Sequence, residues 1–189
     1  MANKRRKPES SHSPMADSLQ IRASTLGDLP SITILYPDAF PDEYLLPLVS
    51  DLLLAGSVAL SLIGVIGSSV VGHVVFTKCG VSGSSHEAAL LGPLAVASTW
   101  QNQGIGSAMV RDGLRRLTKD GIACAYVLGN PDFYERFGFA REAGVSPPYQ
   151  LPNEWHVAWQ SVSLGRTGCP CSGSLSLPEA WLRPSLWAP

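Results

Sequence analysis

Two stretches of this sequence combine residue types and spacings that serve chemistry. The first, Gln101-Asn102-Gln103-Gly104-Ile105-Gly106-Ser107, is a polar turn that runs directly into a segment of helical period. The first turn of a helix has unpaired N–H groups and a partial positive charge, so it attracts phosphate oxygens. Glycines there let an anion approach the backbone without meeting a Cβ. Two common phosphate loops are excluded. No Gly-Lys-Ser/Thr ends the turn, and Met109 stands where a dinucleotide fingerprint needs its third small residue. A tight strand-to-helix turn fits the glycines alone equally well. The second stretch, Asn130-Pro131-Asp132-Phe133-Tyr134, places a phenol four residues after an asparagine. With a pKa of ~10, such a phenol is protonated at neutral pH and can donate a proton or hydrogen bond.

Taken whole, these phrases say more than their parts. Leu94-Ala95-Val96, a short polar turn and Gln101-x-x-Gly104-x-Gly106 resemble the acyl-CoA-binding motif of the GCN5-related N-acetyltransferase (GNAT) superfamily, Arg/Gln-x-x-Gly-x-Gly/Ala. Downstream, Tyr134-Glu135-Arg136-Phe137-Gly138-Phe139 is similar to that family's helix ending in Tyr-x-x-x-Gly-Phe. The resemblance spans roughly residues 19–164. It implies an α/β (mixed α+β) sheet in a single domain, whose fourth and fifth strands splay apart to admit acetyl-CoA. It further implies that Leu94, Ala95 and Val96 pair with the pantetheine arm through their backbone. The pyrophosphate then sits on the loop amides of Gln101, Asn102, Gln103, Gly104, Ile105, Gly106 and Ser107.

The implied reaction is acetyl transfer from a thioester to a primary amine. It needs a neutral amine, a polarised carbonyl and a proton for the departing thiolate. Tyr134 matches the family's proton donor; packing beneath its helix is the alternative role. Asn130 either hydrogen-bonds the pantetheine arm or caps the short helix. Glu87, at the start of the motif strand, is the nearest match to a carboxylate base, with His73 and His86 as competitors. Asp42 or Glu43 is placed to line a substrate mouth. An α-amine, with a pKa of roughly 7.7–8.0, needs no base at all. The acceptor is expected to be a small molecule, with a protein lysine or N-terminus, or a CoA-binding module without turnover, as rivals.

Composition bounds these readings. At 189 residues the chain fits one domain, large enough to bury roughly 70 % of its unfolded surface. A net charge of −1 and a pI near 6.4 offer nothing global to nucleic acid or an anionic membrane. Residues 1–18 read as a polar, disordered tail, whose Lys4-Arg5-Arg6-Lys7 cluster is a solvated arm or a localisation signal. No apolar run follows that cluster, so a signal peptide is not expected. The four cysteines, Cys79, Cys124, Cys169 and Cys171, lack zinc-type spacing and are expected as reduced thiols in a cytoplasmic, metal-free monomer or homodimer. The apolar span from Tyr44 to Ile66 raises a membrane helix, but Asp51 and Gly56-Ser57 interrupt it.

The positioning elements follow from period and punctuation. Leu19, Ile21 and Ala23 alternate as a first strand. A helix is predicted from Thr25 to Tyr36, capped by Asp28 and stopped by Pro37 and Pro41, and a second from Asp42 to Ala55. Val58 to Ile63 and Val70 to Thr77 make a hairpin about Gly67-Ser68, and a Gly/Ser loop covers Val81 to Ser85. The motif strand comes next. Ile105, Met109, Val110, Leu114 and Leu117 then recur every three to four residues, with Gly121 at the helix end. Ala123 to Leu128, a short helix over Phe133 to Phe137, and a final strand from Trp155 to Leu164 complete the order. Residues 165–189 form an extension of little pattern that either wraps the domain through Trp181, Leu182 and Trp187 or hangs loose.

Overall fold

The computed structural model describes residues 19–165, 168–169 and 172–187; the expected N-terminal tail lies outside them. The chain runs through β1 (Leu19–Ala23), α1 (Leu29–Ala39), α2 (Leu46–Leu54), β2 (Val58–Ile66), β3 (Ser69–Val81) and β4 (Ala88–Val96). Then α3 (Ile105–Lys119) returns it to β5 (Cys124–Leu128), and α4 (Pro131–Tyr134) leads to β6 (Ala140–Arg141), β7 (Val145–Ser146), β8 (Trp159–Ser163) and β9 (Gly173–Ser176). The main sheet has the order β1–β2–β3–β4–β5–β8–β6. Only its β4–β5 pair is parallel; α3 makes that crossover.

Strand alternation divides the core. Val74 and Phe76 of β3 pack with Met109, Val110 and Leu114 of α3, whereas Val75 between them packs with Leu48 and Leu52 of α2. Ile32, Leu35 and Tyr36 of α1 join Val49 and Ile63 on that same second face. The apolar period read in α3 is therefore its buried stripe, and Gly121 closes it at φ +83°.

Several local expectations shift. Asp28 directs its carboxylate to Arg22 and to the N–H of Thr25 instead of capping α1. Pro37 does not stop α1, which continues to Ala39. In that last turn the Asp38 carboxylate accepts from both the N–H and the hydroxyl of Ser98, at 2.7 and 2.8 Å, which ties the end of α1 to the loop after β4. The second helix starts at Leu46, with Pro47 in its first turn. No helix among the described residues is long and apolar enough to cross a membrane.

The cysteine expectation is corrected. Cys124 and Cys169 form a disulfide across 45 residues of sequence, and only Cys79 is a buried free thiol among the described cysteines. The pairing comes from the sheet, not from sequence spacing. Cys124 lies opposite Ser163, and the N–H of Leu164 donates to Ala123, so the chain leaving β8 passes beside Cys124. Beyond it the extension packs against the domain. β9 pairs with the end of β3, and Trp181 and Trp187 are buried, while Leu182 is exposed.

Candidate functional site

The site begins where two strands part. β4 and β5 pair from Ala88 with Cys124 to Leu91 with Val127 and no further. At that point Gly92 and Pro93 interrupt the β3–β4 register opposite Val75. Proline has no N–H to give, so the ladder cannot continue through it. Leu94, Ala95 and Val96 then follow β3 through Val74, His73 and Gly72, leaving their other backbone edge open to the gap.

The polar turn hangs from the end of β4. Gln101 folds its side-chain amide back onto the Val96 carbonyl at 3.1 Å, and Gln103 donates to Thr99 at 3.0 Å. Asn102 and Gly104 adopt left-handed conformations at φ +60° and +85°, the latter one that glycine takes without a steric penalty. The first helical bond runs from Ala108 to Gly104. Among the described residues, the N–H groups of Gly104, Ile105, Gly106 and Ser107 have no protein acceptor.

Those amides open on a cleft of about 450 Å³ lined by Leu94, Val96, Gln101, Asn102 and Gly104 through Ser107. Two of the residues expected on the motif strand and loop do not line it. The Ala95 side chain is fully buried with the residues of α1, and Gln103 serves the loop's own geometry. Five unexpected ones do, Ala39 and Trp100 among them. Phe40 and Phe133 wall the cleft, and Arg136, whose guanidinium lies 5.1 Å from the Phe133 ring centre, brings a cation. Arg136 sits inside the second motif, where a positive charge beside a phosphate loop was a usable signal. Asymmetric and polar at one end, the cleft fits a phosphorylated ligand whose arm extends along the open edge of β4.

A second cavity, of about 320 Å³, adjoins the first through shared residues Phe40 and Leu94. Tyr134 and Asn130 line it, as does Glu43 at its rim. The Tyr134 ring lies against the backbone of Gly129 and makes edge contacts with Phe133 and Phe139, at 4.9 and 5.7 Å between ring centres. Burial raises its phenol above the ordinary value near 10. Its hydroxyl has no protein partner among the described residues. Asn130 accepts from the N–H of Asp132 at 2.9 Å, so its oxygen caps α4 and only its NH₂ remains free for a ligand.

Glu87 is not brought to this site. It precedes the N-terminal end of β4, exposed and paired with Lys78, whereas the gap opens at the strand's other end. Seven residues at about 3.3 Å each separate it from Leu94 by roughly 20 Å. His73 is excluded as well. It is fully buried between the Tyr36 hydroxyl and Ser61, both at 2.9 Å, and burial lowers its pKa to about 4. His86 bonds Ser84 on an exposed loop. Of the carboxylates considered from the sequence, Glu43 alone lines the cavity.

Comparison with known proteins matches these features. Residues 61–141, from the second strand through the tyrosine helix, match the acetyltransferase (GNAT) domain model. YjhQ of Escherichia coli strain K12, named an uncharacterized N-acetyltransferase, is 35 % identical over 111 residues. That is 56 % of this chain, which spans 61 % of YjhQ's length. YhbS of the same strain, likewise named, is 33 % identical over 120 residues, 63 % of this chain and 72 % of YhbS. The crystal structure of E. coli YhbS in complex with CoA superposes with a TM-score of 0.80 at 28 % identity, over 88 % of this chain and 93 % of that one. A GNAT acetyltransferase from Brucella melitensis in complex with acetyl-CoA gives 0.71 at 27 % identity, over 86 % and 97 %. With YhbS matched at 33 % identity over 72 % of its length and the GNAT domain model matched over residues 61–141, the chain belongs to the GNAT N-acetyltransferase family.

Proposed function

We propose that this protein transfers the acetyl group of acetyl-CoA to the primary amine of a small molecule. The reading is carried by one coincidence: helix-terminal amides without acceptors among the described residues, an open strand edge and a buried phenol line two adjoining cavities that share Phe40 and Leu94. In them the amides of Gly104 to Ser107, with Arg136, hold the pyrophosphate, and the backbone of Leu94 to Val96 receives the pantetheine arm. The NH₂ of Asn130 steadies that arm near its thioester end. Acetyl-CoA supplies an activated acyl group, whose carbonyl the amine attacks as the C–S bond breaks.

Tyr134 meets the charge that develops on sulfur. A phenol of pKa ~10 is a weaker acid than a thiol of ~8.5, and burial widens the difference, so complete transfer to a free thiolate is uphill. The hydroxyl therefore acts by donating a hydrogen bond to the departing sulfur while keeping its own proton, and the proton that turns the thiolate into free thiol comes from the acylated nitrogen, which becomes strongly acidic on attack. Glu43, at the rim, attracts the incoming ammonium and accepts its proton through water.

The test is Tyr134→Phe, which keeps the ring's packing and removes the hydroxyl. Measured by thiol release, kcat should fall about 100-fold while acetyl-CoA affinity stays near wild type. A kcat within about threefold of wild type removes Tyr134 from the chemistry. Absence of thiol release from wild-type protein that binds acetyl-CoA, across a broad panel of amines, would favour a binding module instead.

A further inference from the structure

The second cavity has a wall that the family motifs do not supply. Trp181, Leu186 and Trp187, from the C-terminal extension, close it opposite Leu45 and Leu48. Both indoles present only ring surface to a ligand, because their N–H groups are already used. Trp181 donates to the Thr77 hydroxyl at 2.9 Å, and Trp187 donates to the Trp181 carbonyl at 2.9 Å. The side-chain oxygen of Asn130 is likewise engaged by Asp132. Among the described residues, Glu43 is the only charged one on the lining. With the Tyr134 hydroxyl and the Asn130 NH₂ serving the thioester, the cavity offers the acceptor one anion and a mainly apolar lining.

From this we infer that the acceptor is a small primary monoamine with an aromatic or branched aliphatic body. The inference rests on the acetyltransferase reading above and concerns which amine that site takes. A polyamine brings several ammonium groups, and a single carboxylate matches one of them. An aminosugar brings many hydroxyls, which lose water on entry and find few partners, at a cost for each. An aryl- or alkylamine meets neither penalty. Its ammonium approaches Glu43, and its body displaces water from the half-buried Leu45, Leu94 and Leu186. The cavity of about 320 Å³, already at the low end of the roughly 300–1,000 Å³ typical of ligand pockets, also receives the thioester end of acetyl-CoA, which leaves room for a compact acceptor body rather than a peptide.

The experiment uses the full chain with saturating acetyl-CoA and follows thiol release. The amines are 2-phenylethylamine, 3-methylbutylamine, methylamine, spermidine and the dipeptide Phe-Gly. Each buried methylene in an apolar pocket is worth about 10-fold or more in discrimination, so kcat/KM for the first two should exceed that for methylamine and spermidine by at least about 100-fold. Leu186→Ala, a half-buried position, should lower kcat/KM for 2-phenylethylamine about 10-fold and that for methylamine by a much smaller factor. Spermidine or Phe-Gly as the preferred substrate, or no preference among the amines, overturns the acceptor class while leaving the acetyltransferase standing. Failure of acetyl-CoA to raise the melting temperature, or to be consumed with any amine, overturns both.

Discussion

Gly129→Ala tests the geometry of the site without touching any group that does chemistry. Gly129 is not held in a left-handed conformation, so alanine meets no backbone strain there. The obstacle is the tyrosine. An ideal Cβ at this position falls 2.4 Å from Cε2 of Tyr134 and 3.0 Å from Cδ2. Carbon atoms rest at about 3.5–4.0 Å, so the ring must retreat by about 1 Å. Behind it Phe133 and Phe139 already press edge to face, so it cannot withdraw along its own plane unopposed. A misplacement of about 1 Å at a reacting centre costs on the order of 100-fold in rate. Overpacking also costs about 1–3 kcal/mol of stability, lowering the melting temperature by roughly 2–12 °C in a chain of this size. The assay is kcat by thiol release, well below the variant's melting temperature, with acetyl-CoA affinity measured in parallel. Expected is a 10- to 100-fold loss of kcat at near-normal affinity. Combining Gly129→Ala with Tyr134→Phe should then cost little more than Tyr134→Phe alone, because both act through one hydroxyl. Additive losses, or a kcat close to wild type for Gly129→Ala, would refute the argument that this glycine sets the tyrosine.

Three further outcomes follow from other parts of the fold. Gly106→Val adds a side chain whose Cβ meets Val96, Leu94 and Phe133 at 3.5–3.6 Å and whose methyls enter the phosphate cleft. Acetyl-CoA at 100 times Kd stabilises the wild type by about 2.7 kcal/mol, and this variant should lose most of that melting shift; an undiminished shift contradicts the loop assignment. Cys169→Ser opens a loop closed across 45 residues, worth about 4 kcal/mol on chain-entropy grounds, so variant and reductant-treated wild type should melt together, roughly 10 °C below oxidised protein. Insensitivity to reductant would show that the bridge contributes nothing. His73, ordinarily near 6.5 and about 4 in the fold, is neutral in both states above pH 6.5. Between 6.5 and 4 only the unfolded chain takes up its proton, so stability falls by about 3 kcal/mol across that window and then levels. Urea titrations at pH 7 and pH 4 measure this loss, and a His73→Asn variant that keeps it would assign it elsewhere.

What could be read in advance depended on how local the cause was. The stripe from Ile105 to Leu117 and the loop before it are set by spacing within a few residues, and both were legible. Glu87 illustrates a limit of that reading. Its strand was identified, but the chemistry gathers at the far end of β4, where Gly92-Pro93 breaks the pairing with β5. His73 is similar. Its burial between Tyr36 and Ser61 depends on partners 37 and 12 residues away. The tryptophans of the extension carry no period, and their place at the cavity follows from tertiary contacts such as the Trp181–Thr77 hydrogen bond across 104 residues. The Cys124–Cys169 bridge belongs to the same class, since only the β5–β8 register brings its ends together.

The two halves of the site are held by different neighbours. On one bank of the gap, Asp38 of α1 grips Ser98, and the Gln101 side chain grips the end of β4, so the phosphate loop is tied to α1 and β4. On the other, the Gly129 N–H donates to Ala158, and the buried Gln160 amide donates to the Gly129 carbonyl at 3.1 Å, so the tyrosine's seat is tied to β8. Past Leu91 no strand pairing bridges the banks, and a ligand lying along β4 is what spans them. Substitutions on the α1 side should therefore act mainly on acetyl-CoA affinity, and those on the β8 side mainly on kcat. Gln160 distinguishes this division from a general loosening of the fold, being nearly fully buried and remote from the phosphate loop. Gln160→Leu removes the bond to Gly129 while preserving approximate volume. It should lower kcat severalfold or more with acetyl-CoA affinity within about twofold of wild type, whereas an equal loss of both would show that the two banks move as one.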